Sequence, residues 1–153
     1  METIKTICTN RRARYEYRII DTVEAGLVLT GSEVKSLRAG HASLQESYAK
    51  VEDDGVYMVG ANIRLYEQAG RFNHEPKRRR KLLLKLSEIR KLRKNVESKG
   101  VTLIPLKLYF KGSWVKVEIG LAVGKKSHDK RAAIAERDAT REIDRARKEA
   151  RYR

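Results

Sequence analysis

The sequence predicts a mainly β protein: a small closed antiparallel barrel of the OB-fold type with two to three short helices, followed by a basic tail. Three observations carry this prediction. Apolar residues recur with a period of two along residues 15–123, which indicates half-buried strands. Glycine-containing turns separate these runs, and strongly curved strands suit a closed barrel better than a flat sandwich. Residues 125–153 lack such runs and are rich in charge.

The first predicted element is a long strand whose apolar side chains share one face. Its odd-numbered apolar residues are Tyr15, Tyr17, Ile19, Val23, Ala25, Leu27 and Leu29. Ser32 is then predicted to cap a short helix that ends before Gly40.

The middle of the chain predicts a hairpin and then a loop. Tyr48 to Glu52 and Val56 to Ile63 are rich in β-forming residues and flank the turn Asp53-Asp54-Gly55. Residues 66–80 are predicted to form a loop. The run Lys77 to Lys81 contains five consecutive cations that no core is expected to accept, so we expect them to be solvated or paired with anions.

The last part of the predicted barrel contains a helix and a second hairpin. The helix is predicted to begin at a Ser87 cap and to stop at Gly100, with one apolar face and one basic face. Leu106 to Phe110 and Trp114 to Val123 alternate around Gly112-Ser113, which predicts two paired strands.

The tail differs in composition from the residues before it. Residues 125–153 carry 11 basic and 6 acidic side chains, and Ile134 and Ile143 are their only large aliphatic residues. So thin an apolar face does not hold a helix firmly against a barrel. We therefore expect an RNA-binding domain over residues 1–124 and a basic tail over 125–153, disordered when free and helical when bound.

The charge of the chain points to a polyanionic partner. There are 35 Lys and Arg residues against 20 Asp and Glu, giving a formal charge of +15. Nucleic acid is the first candidate, and a merely solubilising surface is the alternative. No apolar run approaches the roughly 20 residues that span a bilayer, and residues 1–14 contain no apolar signal segment. We expect a cytoplasmic protein without a membrane partner, in which the single cysteine, Cys8, is an inert thiol.

Signals for chemistry are weak, so the chain is predicted not to be an enzyme. It has no glycine-rich phosphate loop or nucleophile elbow. Three separated histidines and one cysteine offer no metal-ligand spacing, so we predict no metal, cofactor or small-molecule substrate. Asn73-His74-Glu75 resembles a nuclease fragment, but three polar residues before a proline are typical of a loop.

Two segments predict contacts with RNA. The first combines guanidiniums, an amide and an aromatic ring that can grip phosphates and stack on an unpaired base: Asn10, Arg11, Arg12, Arg14 and Tyr15. The second is Glu24, on the polar face of the first strand, which can accept hydrogen bonds from base amino or imino groups. The alternative for Glu24 is an ordinary exposed carboxylate paired with a neighbouring lysine.

Six segments of the chain resemble the SmpB (small protein B) family over about residues 10–145. They are Asn10-Arg-Arg-Ala-Arg, Glu24-Ala-Gly-Leu, Gly31-Ser-Glu-Val-Lys-Ser-Leu-Arg-Ala-Gly40, Arg80-Lys-Leu-Leu-Leu84, Leu106-Lys-Leu-Tyr-Phe110 and Gly124-Lys-Lys-Ser-His-Asp-Lys-Arg131. The resemblance implies an OB-fold barrel that binds the tRNA-like domain of tmRNA and accompanies it to ribosomes stalled without a stop codon. It also implies a tail that enters the empty mRNA channel near the decoding centre and folds there.

The resemblance also assigns residues. It places Asn10, Glu24 and Leu83 at the tmRNA interface, although the apolar pattern alone would put Leu83 in the core. Lys85 is grouped with this interface, at a position where relatives often carry an uncharged polar side chain. The resemblance implies a hinge at Gly124 and a ribosome-contacting segment that includes His128, which stacks on a decoding-centre base. That segment consists of Lys125, Lys126, His128, Asp129, Lys130 and Arg131.

Besides Lys85, two further residues depart from the family pattern, Tyr15 and Ala135. Tyr15 stands where the family usually has His, which preserves stacking and removes a group that titrates near neutral pH. Ala135 stands where a lysine is usual, which removes one cation from the tail.

The sequence therefore leaves three alternative functions. The first is a tmRNA-binding factor of trans-translation. The second is a general OB-type translation factor or RNA chaperone that binds single strands on its aromatic residues. The third is an enzyme that cleaves or modifies RNA.

Overall fold

A computed structural model describes residues 3–124 of the chain, and the predictions for the tail lie outside these residues. Nine strands are described: β1 Ile4–Thr9, β2 Tyr17–Leu27, β3 Ala42–Ser43, β4 Tyr48–Glu52, β5 Gly55–Val59, β6 Asn62–Ile63, β7 Arg80–Leu83, β8 Thr102–Lys111 and β9 Trp114–Gly124. Three α-helices accompany them: α1 Arg11–Glu16, α2 Gly31–Arg38 and α3 Leu86–Lys99. A 3₁₀ segment covers Glu67–Phe72. Within residues 3–124, no helix is long and apolar enough to cross a membrane.

The protein is mainly β, with seven strands in one antiparallel sheet whose order returns on itself. The order is β1-β8-β4-β5-β7-β2-β9, and β9 also pairs with β8. The pairing between neighbouring strands is uneven. Strands β8 and β9 pair along almost their whole length, whereas β4 meets β8 only at Ala49 and Leu103. Strands β3 and β6 form a separate pair.

A bulge in β8 divides the apolar residues into two clusters. The register of β8 against β9 shifts between Pro105 and Lys107, so Leu106 is an extra residue and the side-chain alternation reverses there. Leu103 and Leu108 consequently lie in the main core inside the sheet. Leu106 lies in a smaller cluster that contains Ala13 and so packs α1 against the sheet.

The predicted strand that begins at Tyr15 is wrong at its start, because residues 11–16 form α1. The Asn10 side chain caps this helix by accepting a hydrogen bond from the Ala13 N–H at 3.3 Å. An ion pair between Arg12 and Glu16, one turn apart, adds support at 3.2 Å. From Tyr17 onward the chain is extended, as predicted.

The predicted helix caps at Ser32 and Ser87 are also wrong. Helix α2 begins one residue before Ser32, and Thr30 is its cap. Its backbone N–H donates to the Glu33 carboxylate at 2.9 Å, which is the reverse half of a capping box.

Helix α3 begins at Leu86 and has the same N-terminal capping interaction as α2. Its cap is Lys85, whose backbone N–H donates to the Glu88 carboxylate at 3.0 Å. The predicted stop at Gly100 is confirmed, with Gly100 in the left-handed conformation at φ 61°.

Both predicted hairpins are confirmed, with one difference in length. Strands β4 and β5 pair around the Asp53-Asp54-Gly55 turn, and β8 and β9 pair around Gly112-Ser113. The second strand of the first hairpin ends at Val59, because Gly60 takes φ 82° and lies against the Glu46 carbonyl. The chain then starts the separate strand β6.

Two other segments differ from the prediction. Residues 4–9, for which no element was predicted, form β1, and the thiol of Cys8 is half-buried there. Burial raises the pKa of that thiol to about 11. At the end of the predicted loop, Arg80 is the first residue of β7.

The expectation that no core accepts the cations at 77–81 is wrong for Arg80, which is fully buried at 0% exposure. Its Nε donates to the buried carboxylate of Glu33. The rest of its guanidinium donates to the Ala61 and Pro76 carbonyls, both at 2.9 Å. The expected pairing with an anion is therefore confirmed, and it is this pairing that lets the cation enter the interior.

Candidate nucleic-acid interface

Glu24 lies on the outer side of the sheet and is held by two neighbours. The Tyr109 hydroxyl donates to one carboxylate oxygen of Glu24, and the Lys111 ammonium lies 3.3 Å from the other. Strand β9 pairs with both β2 and β8, so the Tyr109 side chain reaches across β9 to make this contact. We call the outer side of β2, β8 and β9 around Glu24, Tyr109 and Lys111 the Glu24 face.

The Glu24 face keeps its carboxylate charged. The hydrogen bond from Tyr109 lowers the pKa of Glu24 more than partial burial raises it, and Lys111 and Lys116 lower it further. Burial and the same carboxylate raise the pKa of Tyr109, so its hydroxyl stays protonated and keeps donating. Glu24 is therefore an ionised acceptor with a fixed orientation and unused lone pairs.

The sequence did not single out Tyr109 as a site residue. It lies 85 positions from Glu24, and their contact exists only because β9 brings β2 and β8 together. One signal was present: the alternation of β8 puts Tyr109 between Lys107 and Lys111 on the polar side of the strand. The lysine partner expected under the ordinary reading of Glu24 is also found, as Lys111.

Leu83 lies beside the Glu24 face and is 55% exposed. It pairs with Gly26 across β2 and β7, and Gly26 is two residues from Glu24 on the same side of β2. A Cβ on Gly26 would come within 3.2 Å of the Leu83 Cβ, so the glycine leaves room for this leucine on the surface. The core position that the apolar pattern suggested for Leu83 is wrong. Lys85, two residues further along the chain, is exposed and is the N-cap residue of α3.

Asn10 is buried, unlike the other predicted contacts of its segment. Its amide donates to the carbonyls of Leu44 and Pro105 at 3.2 and 3.1 Å, and its oxygen caps α1. Both of its N–H donors are therefore used inside the protein. In the structure, the Asn10 side chain holds α1 in position.

The remaining residues of this segment lie on the surface of α1. Arg11, Arg12, Arg14 and Tyr15 are all exposed. The Arg14 guanidinium approaches the Glu118 carboxylate of β9 at 4.0 Å, and Glu118 pairs with Lys107 across the hairpin. The structure therefore brings α1 next to the Glu24 face, although the two segments are separate in the sequence.

Gly124 ends β9 and is exposed. The ribosome-contacting segment predicted after it lies outside the described residues: Lys125, Lys126, His128, Asp129, Lys130 and Arg131.

His74, the central residue of the nuclease-like tripeptide, is a buried structural residue. Its Nε2 lies 2.8 Å from the Ile63 carbonyl and must donate to it, so its Nδ1 accepts from the Ser32 hydroxyl at 2.9 Å. Both ring nitrogens are thus occupied inside the protein. Among residues 3–124, no group of three or more His, Cys, Asp or Glu side chains could hold a metal ion.

These features define a class of protein: a basic, mainly antiparallel β protein that displays cations, a fixed carboxylate and an exposed leucine on one outer sheet face. Such a surface can pair with phosphates and accept hydrogen bonds from bases or ribose. The family model described as SmpB protein matches residues 7–149. The chain belongs to the SmpB family, which is a family of RNA-binding proteins.

Relatives match the chain over nearly its full length. The SsrA-binding protein of Pelotomaculum thermopropionicum is 56% identical over 146 residues, which cover 95% of each chain. The SsrA-binding protein of Chloroflexus aurantiacus is 56% identical over 147 residues, covering 95% of this chain and 92% of the relative. A solved chain described under "tmRNA-SmpB: a journey to the center of the bacterial ribosome" is 47% identical with a TM-score of 0.68, covering 83% of this chain and 93% of that one.

Proposed function

We propose that this chain is a tmRNA-binding protein of trans-translation, which delivers tmRNA to stalled ribosomes. The observation that carries the proposal is positional. Glu24 and Leu83, which the family resemblance assigns to the tmRNA interface, lie side by side on one exposed face although they are far apart in the sequence. Similarity to SsrA-binding proteins over 95% of the chain supports it, as does the similarity to a chain of a tmRNA–SmpB ribosome structure.

In this proposal residues 1–124 form a closed OB-fold-like barrel that binds the tRNA-like domain of tmRNA. The strand order supports a closed barrel. Strand β9, the last in the order β8-β4-β5-β7-β2-β9, also pairs with β8, so these six strands form a ring. Residues Met1–Val123 also form one compact unit. The exposed cations of α1 and Lys85 contact phosphates around the Glu24 face, and Tyr15 stacks on an unpaired base. Asn10 acts by holding α1 in place.

Residues 125–153 act as a separate tail in this proposal. The tail is disordered when free, hinges at Gly124, enters the empty mRNA channel and folds there as a helix. Lys125, Lys126, Lys130 and Arg131 pair with ribosomal phosphates, and His128 and Asp129 contact the decoding centre. The protein acts in the cytoplasm, by binding alone, and makes no covalent change to the RNA.

The Glu24 contact is tested by the substitution Glu24→Gln. Glutamine can still accept the Tyr109 hydrogen bond but replaces a charged acceptor with a donor-bearing amide. A hydrogen bond to a charged group contributes about 1.5–3 kcal/mol, so we expect the affinity for the tmRNA of the same organism to fall by roughly 10- to 150-fold. Leu83→Ala should also weaken binding. The measurement is a filter-binding or fluorescence titration at fixed salt.

Controls separate this contact from general electrostatics. Glu97→Gln, on the exposed side of α3, should change the affinity by no more than about twofold. If charge alone governed binding, Glu24→Gln would strengthen it, because the substitution removes a negative charge from a basic protein. Unchanged or tighter binding would contradict the proposed interface.

A further inference from the structure

We propose that the loop Leu65–Asn73, named here the aromatic loop, is a second RNA contact that stacks an unpaired base on Phe72. This loop is not part of the Glu24 face, and the proposal does not rest on the tmRNA assignment. It commits to single-stranded RNA as the occupant. The argument uses the exposure of Phe72, the way the loop is held, and the charges beside its rings.

Phe72 is displayed to solvent. Its side chain is 78% exposed, more than that of any other large apolar residue found exposed within residues 3–124. The neighbouring Arg71 guanidinium lies over the ring, 4.9 Å from its centre. One ring face is therefore covered by a cation that can reach a phosphate, and the other is open for a base.

The aromatic loop is held in one shape by hydrogen bonds at its ends. The Asn73 side chain accepts from the Tyr66 N–H at 3.1 Å and donates to the Tyr66 carbonyl at 2.6 Å. Gly70, at φ 56°, allows the reversal between the two halves of the 3₁₀ segment. The next residue, His74, is buried and is held to β6 and α2 by hydrogen bonds with Ile63 and Ser32. A platform that is already ordered loses little conformational entropy when a base stacks on it.

The charges around the aromatic loop favour a polyanion. The Lys35 ammonium of α2 lies 5.5 Å from the centre of the Tyr66 ring, and Arg64 is exposed immediately before the loop. Glu67 is the only acidic residue of the loop. Cations interleaved with aromatic rings are typical of surfaces that bind single strands, whereas the centres of protein interfaces are depleted in lysine.

The test compares Phe72→Ala and Phe72→Tyr with the parent chain for binding to a short single-stranded oligouridine and to an RNA duplex. Stacking on one aromatic ring contributes about 1–3 kcal/mol per base. We therefore expect Phe72→Ala to weaken oligouridine binding by roughly 5- to 150-fold, Phe72→Tyr to retain it, and duplex binding to be unchanged. Because Phe72 is exposed, thermal unfolding of both variants should match the parent.

Matched variants decide between this platform and other sites. Trp114→Ala removes an aromatic residue that is 69% exposed elsewhere on the protein, at the β8–β9 turn, and should leave oligouridine binding within about twofold. Glu97→Gln, on the exposed side of α3, should also leave it unchanged. The affinity for tmRNA is measured in parallel, so a failure of the tmRNA proposal would be seen separately. If Phe72→Ala binds oligouridine as the parent does, the aromatic loop is not an RNA contact. That result would point instead to a protein partner on Phe72, or to Trp114 if its variant loses affinity.

Discussion

Replacing Arg80 with alanine is expected to lower the free energy of unfolding by about 3–5 kcal/mol, the largest loss we expect for a single substitution. The substitution removes a fully buried guanidinium and leaves the Glu33 carboxylate with Arg78 as its remaining cationic partner. It also removes the guanidinium donor of the Ala61 carbonyl, whereas the Pro76 carbonyl keeps the Ile63 N–H as a donor. Urea unfolding followed by circular dichroism measures the loss.

The adjacent residue provides the control. Arg79 has the same side chain, half exposed, and pairs with Glu52 at 2.7 Å on the surface. Surface ion pairs contribute about 1 kcal/mol or less, so Arg79→Ala should change stability far less than Arg80→Ala. Similar losses for the two variants would show that the buried ion pair does not have the structural importance inferred for it. Replacing Arg80 with methionine and Glu33 with leucine together should recover part of the loss, because the fully buried carboxylate is removed together with the fully buried guanidinium.

Deleting Gly124 to Arg153 is expected to leave tmRNA binding nearly intact and to abolish peptide tagging on stalled ribosomes. The reason is the proposed division of labour. The Glu24 face and the compact unit Met1–Val123 lie before the deletion, whereas the segment proposed to contact the ribosome lies within it. Tagging is measured in a reconstituted translation reaction with an mRNA that lacks a stop codon, and tmRNA affinity is measured in parallel.

A shorter deletion serves as the matched control. The SmpB family match ends at residue 149, so removing residues 150–153 should preserve both tagging and tmRNA affinity. The division of labour is wrong if the long deletion destroys tmRNA binding, or if it leaves tagging at the level of the parent chain.

Local patterns predicted the parts of the fold that local interactions determine. The two hairpins follow from alternation around glycine-containing turns, and Gly100 marks the end of α3 because only a left-handed residue suits that stop. The start of β2 was misplaced because Tyr15 happens to share the odd phase of the strand, while the capping by Asn10 and the ion pair of Arg12 favour a helix.

Contacts between distant residues could not be predicted in this way. Arg80 is buried because Glu33, 47 positions away, meets it in the folded chain, so five consecutive cations in the sequence gave no sign of which one would enter the core. Tyr109 joins Glu24 only through the order of the strands. The exposure of Leu83 followed from the family resemblance and contradicted its apolar pattern.

The most direct test of the proposed function is to purify the full-length chain from its host and to sequence the RNA that remains bound to it. A tmRNA-binding factor should retain one dominant species, tmRNA, and Glu24→Gln should reduce that species relative to Glu97→Gln. A broad population of RNAs without enrichment of tmRNA would contradict the proposal and indicate a general RNA-binding protein. Defined cleavage or modification products would contradict it in favour of an enzyme.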